Sequence, residues 1–208
     1  MRAPLALLLF ALPLAACADA PDPAEPADPA VAVPSPAPSG PERAVAEIAE
    51  VDGSGLSGTV RFTALDDALE VRYQLEGFAA DGPHGFHVHQ TGDCGADSTG
   101  TPAGAAGGHL NPLTSPHGAP SAAPADRHAG DLGNVVVEGG RAMGALVDSV
   151  LTLDGPTSVV GKAVIVHAGE DDLASQPSGD AGARIGCGVV GAPAAAGAAG
   201  GGSPRPAG

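Results

Sequence analysis

The chain has almost no aromatic residues and few basic ones. Its 208 residues include no Trp, four Phe and one Tyr, so a hydrophobic core must be built mainly from Val, Leu, Ile and Ala. Lys and Arg number 9 against 24 Asp and Glu, which gives a formal net charge of −15 at pH 7. This charge argues against a nucleic-acid partner, because phosphate binding requires a basic surface.

Long apolar runs are also missing, except at the N-terminus. Residues 1–17 read MRAPLALLLFALPLAAC, with one Arg, an apolar run and then small residues, which is the pattern of an export signal. Pro13 interrupts the run too early to predict a membrane span. The end of the run resembles the lipobox of bacterial lipoproteins, in which the signal is cleaved before a Cys that then carries a lipid. We therefore expect 1–16 to be a lipoprotein signal peptide and Cys17 to anchor an exported protein to a membrane of the cell envelope, in the periplasm. An ordinary secretory signal is the alternative.

Cysteine is scarce, with three in the whole chain. Three Cys in an exported chain leave one over from any single disulfide. Lipidation of Cys17 would remove the odd one, which leaves Cys94 and Cys187 free to pair in an oxidising compartment. Such a disulfide closes a long loop and stabilises a fold by about 2–5 kcal/mol.

The two ends of the chain have no apolar periodicity. Residues 17–43 are rich in Pro and Ala with scattered acids, and residues 192–208 are mostly Ala, Gly and Pro. Segments of this composition cannot bury a core. We expect a disordered linker at 17–43, one folded domain at 44–191 and a disordered tail at 192–208.

Inside the predicted domain, apolar residues come in short runs separated by Gly, Asp and Pro. Several runs alternate with period two, as in Thr59–Phe62 and Val71–Leu75, and none sustains a helical stripe. This pattern predicts an all-β sandwich or barrel of about eight strands. The predicted strands are 45–51, 56–65, 69–78, 85–89, 132–138, 145–153, 159–167 and 184–190. Two long polar segments, 90–132 and 168–183, are predicted to be functional loops or to be held by a metal or a disulfide.

The stretch HGFHVHQTGDC, residues 84–94, holds three of the seven histidines. Residues two apart in a strand face the same way, so His87 and His89 are predicted to point to one side while Phe86 and Val88 face the core. By the same parity His84 is predicted to be a structural histidine in the interior. An H-x-H strand is on its own a weak metal signal.

The first long loop and the end of a later strand supply further ligands. His109, His117, His128 and Asp131 make three imidazoles and one carboxylate, which is a full tetrahedral set for a structural Zn²⁺. His167 follows an apolar run and can project from the strand end into a shared pocket. His-rich sites suit Cu(II), which cycles by one electron where zinc cannot.

Five motifs in order make the sequence resemble the copper,zinc superoxide dismutases: HGFHVHQTGDC, GGHLNP, RHAGDLGNV, VIVHAGEDDL and GDAGARIGCGVV. The resemblance implies a Greek-key barrel. It also implies an enzyme that disproportionates superoxide to dioxygen and hydrogen peroxide and protects the cell envelope from oxidative damage. The alternative is a non-catalytic module that binds or delivers copper and zinc.

Position by position, the resemblance implies roles for individual residues. The copper ligands would be His87, His89, His109 and His167, and the zinc ligands His109, His117, His128 and Asp131. His109 would bridge both metals and carry a proton to the forming peroxide. Asp171 would hydrogen-bond one copper and one zinc histidine from outside the two ligand sets, Arg184 would attract and orient the superoxide anion, and Cys94 and Cys187 would form the disulfide.

The sequence also departs from the family pattern. Residues 168–183 contain no Lys or Arg, whereas eukaryotic members carry lysines that steer superoxide in a longer loop. Attraction of the substrate would therefore rest on the metals and Arg184, with Lys162 or Arg127 as helpers. Thr91 stands where eukaryotic members have an aromatic residue at their dimer contact, which leaves open whether this protein forms a homodimer.

Overall fold

The computed structural model describes residues 42–191. The predicted signal peptide, Cys17 and the predicted tail lie outside the described residues, as does the predicted linker up to residue 41. The first strand begins at Arg43, one residue before the predicted start of the domain. Residues 42–191 contain no helix of the length and apolar character that crossing a membrane would require.

Eight strands form the fold, in agreement with the prediction. They are β1 (Arg43–Glu50), β2 (Ser57–Ala64), β3 (Leu69–Glu76), β4 (Gly82–His89), β5 (Asp131–Val137), β6 (Arg141–Asp148), β7 (Ala163–His167) and β8 (Arg184–Val189). Their order in the sheet is β5-β4-β7-β8-β1-β2-β3-β6. The pairing of β4 with β7 and of β3 with β6 makes Greek-key crossovers. Strands β5 and β6 also contact each other, so the sheet is a nearly closed antiparallel barrel.

Alternation along the strands builds the core with few aromatic residues. In β2, Val60 and Phe62 are fully buried, while Arg61 between them is exposed and lies opposite Arg72 of β3. Phe86 and Val88 of β4 join the same aliphatic core, as their parity predicted. Small and branched side chains interdigitate closely enough to fill this interior without Trp.

The sixth strand differs from its prediction of 145–153. Strand β6 runs from Arg141 to Asp148. At its end, the Asp148 side chain accepts hydrogen bonds from the backbone N–H groups of Val150 and Leu151 at 2.8 and 2.7 Å, which turns the chain out of the sheet. Leu151 is buried in the core from this loop, so its apolar character gave a false strand signal.

Two long loops cross one end of the barrel. The first runs from the end of β4 to β5 and contains a single short 3₁₀ turn, Gly104–Ala106. The second connects β7 to β8. A disulfide between Cys94 and Cys187 ties the first loop to β8, which is the predicted pair.

Candidate metal centre

The structure gathers all the predicted metal ligands into two buried clusters that share one histidine. The first cluster is His87, His89, His109 and His167; the second cluster is His109, His117, His128 and Asp131. In each cluster the candidate ligand atoms all lie within 4.8 Å of one another. Every residue of both clusters is buried.

Neighbouring strands supply three members of the first cluster. Phe86 of β4 pairs with Val166 of β7, so His87 and His89 lie beside the strand that ends at His167. The pairing register shifts just before His87 on β4 and just before His167 on β7. Bulges of this kind re-aim side chains at the ends of strands. Gly85 allows the close packing, because a Cβ there would lie 2.7 Å from the Cβ of Ala181.

Backbone pairing with β4 positions the fourth member, His109. The N–H of Leu110 donates to the carbonyl of Val88 at 2.8 Å, and the N–H of Val88 donates to the carbonyl of Gly130 at 2.9 Å. His109 thereby lies opposite His89. The same contact holds the chain just before Asp131, so one short stretch of β4 places ligands of both clusters.

Each imidazole of the first cluster has one ring nitrogen held and one left over. Asp171, Gly107, Asp131 and Gly182 bind one nitrogen each of His87, His89, His109 and His167, at 2.7–3.0 Å. The other four nitrogens are buried without a hydrogen-bond partner: Nδ1 of His87 and Nε2 of His89, His109 and His167. Buried unpaired nitrogens are costly, and four that converge are the donor set that copper takes in proteins.

Burial also keeps these imidazoles neutral. Desolvation lowers the pKa of His87 to about 4 and that of His167 to about 3, and it lowers the pKa of His89 well below its usual value. At neutral pH their free nitrogens carry lone pairs rather than protons. A metal ion at this cluster would therefore not have to displace protons from these three rings.

The ligand nitrogens of the second cluster lie around one carboxylate oxygen of Asp131. Asp131 Oδ1 lies 2.7 Å from Nδ1 of His109 and 3.1 Å from Nδ1 of both His117 and His128. Nδ1 of His128 is 3.3 Å from Nδ1 of His109. Ligands on a tetrahedral zinc ion are about 3.3 Å apart, so the three imidazoles and the carboxylate fit zinc.

Asp171 connects the two clusters from outside them. Its Oδ2 lies 2.8 Å from Nε2 of His87, and its Oδ1 lies 2.9 Å from Nε2 of His117. Burial by itself would raise the pKa of Asp171, but hydrogen bonds from these two rings lower it well below its usual range. The carboxylate therefore fixes the orientation and tautomer of one ring in each cluster.

Two residues that sequence reasoning missed hold Asp171 in place. Asn134 of β5 makes a reciprocal pair of 2.8 Å hydrogen bonds with the Asp171 backbone. Gly179 lies so close that a Cβ there would be 1.8 Å from Asp171 Oδ1, and its φ is +68°. An asparagine in a strand and a glycine in a Pro- and Ser-containing loop carry no metal-site signal of their own.

Comparison with known proteins shows to which family the chain that carries these clusters belongs. Residues 56–190, more than half of the chain, match the family model described as copper/zinc superoxide dismutase. The chain belongs to the copper/zinc superoxide dismutase family. It is 41% identical over 147 residues to "Superoxide dismutase [Cu-Zn]" of Saccharomyces cerevisiae, which covers 66% of this chain and 91% of that protein.

Other relatives cover the same region. "Superoxide dismutase [Cu-Zn] A" of Xenopus laevis is 43% identical over 147 residues, covering 67% of this chain and 92% of that protein. The solved structure of the clock protein EA4 superimposes with a TM-score of 0.65 at 36% identity, covering 74% of this chain and 96% of that one. Members of this family bind copper and zinc, and the two histidine clusters offer sites for these metals.

An open cavity of about 650 Å³ leads to the first cluster. Its lining includes His89, His109, His167 and Arg184. The Arg184 guanidinium donates to the carbonyls of Ala103 and Gly107, which fixes it on the wall. Arg184 thus lies in the same cavity wall as three histidines of the first cluster.

The structure corrects one suggested helper. Arg127 is buried, with 2% of its surface exposed, and forms an ion pair with the buried Asp148. A guanidinium neutralised in this way cannot attract superoxide.

Lys162 is outside the cavity lining, but it donates to the carbonyl of Gln90, which is part of that lining, at 2.8 Å. His84 is in neither cluster: its ring nitrogens face the carbonyls of His167 and Ala80.

Replacing Asp171 with asparagine is expected to weaken zinc binding by about 10- to 100-fold. An amide can accept a hydrogen bond from only one of the two rings and turns its NH₂ toward the other. Zinc affinity measured against a competing chelator tests this expectation. Asp172→Asn is the matched control, because Asp172 is exposed and caps only Ala174 and Ser175. Equal zinc affinity in the two variants would contradict the role of Asp171.

Proposed function

We propose that the first cluster holds copper, that the second holds zinc, and that the protein disproportionates superoxide in the cell envelope. The observation that carries this proposal is the convergence of four unpartnered, buried imidazole nitrogens, three of them from histidines that line an open cavity together with Arg184. A site built only to store a metal has no use for a fixed cation facing solvent beside the ligands. Superoxide is a small anion, and Arg184 supplies the charge and N–H donors that bind one.

Bound copper would supply a one-electron cycle, in which one superoxide is oxidised to dioxygen and a second is reduced, with two protons, to hydrogen peroxide. The chain provides positioning and proton handling. Arg184 binds the anion at the cavity wall. Nε2 of His109 faces the first cluster while its Nδ1 is fixed at 2.7 Å from Asp131, so Nε2 is the atom at which a proton can be held and delivered to the reduced product.

The direct test combines metal analysis with superoxide decay. The purified protein is expected to hold one copper and one zinc per chain and to accelerate superoxide decay in a stopped-flow assay. Removal of copper alone should abolish the acceleration, and its return should restore it. Full loading with both metals but no acceleration would overturn the enzymatic function and favour a metal-binding or metal-delivery module.

Localisation to the envelope rests on the N-terminal sequence. We propose that residues 1–16 are cleaved and that Cys17 carries the lipid anchor. The disulfide between Cys94 and Cys187 supports this assignment, because it leaves Cys17 as the cysteine that the fold does not pair with either of them.

Expression in a Gram-negative host tests the anchor. Wild-type protein is expected to fractionate with membranes and to incorporate a radiolabelled fatty acid, whereas Cys17→Ser should lose the label and leave the membrane fraction. Cys94→Ser serves as the control for loss of a cysteine outside the predicted lipobox and should keep the label. An unlabelled wild-type protein in the soluble periplasmic fraction would instead indicate an ordinary secretory signal.

A further inference from the structure

The cavity above the first cluster contains one fixed negative charge that the proposed reaction does not use. Among the described residues that line this cavity, Asp97 is the only carboxylate and Arg184 is the only Lys or Arg. Asp97 belongs to the loop between the disulfide cysteine Cys94 and His109. A substrate anion entering the cavity therefore passes one charge of each sign.

Local hydrogen bonds hold Asp97 in place as a carboxylate. Its Oδ1 accepts hydrogen bonds from the backbone N–H groups of Thr99 and Thr101 at 2.8 and 3.0 Å, and from the Thr99 hydroxyl at 2.6 Å. These bonds lower the pKa of Asp97 to about 2. The group is thus ionised throughout the physiological range, and its position is set by the turn.

The same loop also holds Arg184. Its guanidinium donates to the carbonyls of Ala103 and Gly107, and Cys94–Cys187 ties the loop to the strand that carries Arg184. Burial lowers the pKa of Arg184, while the charge of Asp97 acts in the opposite direction. The two charges therefore interact electrostatically. The guanidinium of Arg184 donates its hydrogen bonds to backbone carbonyls and not to Asp97, so the Asp97 carboxylate stays exposed to the cavity.

We propose that Asp97 limits the entry of anions into this cavity by offsetting the positive charge of Arg184. This inference rests on the proposed function only in taking superoxide as the anion. The net field at the mouth of the cavity falls because Asp97 cancels part of the attraction that Arg184 exerts. Residues 168–183 contain no lysine to compensate, so this cancellation lowers the rate of capture.

Neutralising Asp97 tests the proposal on the copper- and zinc-loaded protein. Asp97→Asn keeps an Oδ1 acceptor for the turn, and Asp97→Ser is a second neutral variant that also caps it. At low ionic strength, both are expected to raise kcat/KM for superoxide by about two- to fivefold. They are also expected to tighten the binding of azide, followed by the visible absorption of Cu(II), by a similar factor.

Controls separate this effect from net charge and from structure. Asp66→Asn makes the same charge change on the exposed turn between β2 and β3, which lines a different cavity, and it should leave both values unchanged. Asp97→Glu keeps the charge and should resemble wild type. The gain in the neutral variants should shrink above 0.1 M salt, where the Debye length is about 10 Å or less.

The outcomes are distinct. Unchanged azide affinity and unchanged kcat/KM in both neutral variants with wild-type metal content would overturn the role of Asp97. An equal gain in Asp66→Asn would do the same, because it would assign the effect to net charge. If the wild-type protein holds both metals and shows no turnover, the enzymatic function fails, while azide binding still decides whether Asp97 restrains anions.

Discussion

Replacing His167 with alanine is expected to lower superoxide disproportionation by about a thousandfold or more while leaving zinc bound. His167 supplies one of the four unpartnered nitrogens of the first cluster and takes no part in the second cluster. Its other nitrogen only contacts the carbonyl of Gly182, at 3.0 Å, so the barrel keeps its remaining contacts. Stopped-flow decay of superoxide and metal content by mass spectrometry are the two measurements.

His128→Ala is the matched comparison, because it removes one histidine from the second cluster alone. This variant should lose zinc first and keep the copper ligands intact. The opposite pattern, with copper retained and activity preserved in His167→Ala, would refute the assignment of the first cluster. The pair of variants therefore tests whether the two clusters are separate sites that share only His109.

Strand parity made the β4 part of the site predictable. Alternation placed Phe86 and Val88 in the core and His87 and His89 on the opposite face, and the structure confirms both placements. Strand alternation needs no knowledge of the rest of the chain, because it follows from local backbone geometry. The same local reasoning also identified the eight apolar runs that became strands.

Loop positions depend on long-range contacts that no local pattern encodes. His109 reaches β4 through hydrogen bonds between Leu110 and Val88 and between Val88 and Gly130. Only the resemblance to the family predicted that His109 and the β4 histidines belong to one site. Composition alone did not predict it. Asn134 and Gly179 escaped notice for the same reason, since each acts only through its contact with Asp171.

Arg127 shows how charge can mislead a reading of sequence alone. It is one of nine Lys and Arg residues in an acidic chain, so its charge predicts an exposed role in attracting anions. Its actual partners are Asp148 on β6 and the backbone carbonyls of His128 and Asp131 in the second cluster. A sequence pattern cannot reveal a buried ion pair formed across 21 residues.

Replacing Arg127 with methionine is therefore expected to cost about 3–5 kcal/mol of unfolding free energy and to weaken zinc binding. The change leaves the Asp148 carboxylate buried without its partner. It also removes the donor that lies 3.1 Å from the carbonyls of both His128 and Asp131, which holds the backbone of two zinc ligands. Urea unfolding with the disulfide intact measures the first effect, and chelator competition measures the second.

Two further variants separate charge burial from positioning. Adding Asp148→Asn to Arg127→Met removes the unpaired charge and keeps an acceptor oxygen for the N–H groups of Val150 and Leu151, so part of the lost stability should return. Zinc affinity should stay low because the carbonyls still lack their donor. Arg72→Met breaks the exposed pair with Glu70, whose side chains are 56% and 31% exposed, and should cost about 1 kcal/mol or less. If zinc affinity recovers together with stability in the double variant, Arg127 only compensates the charge of Asp148 and does not position the zinc ligands.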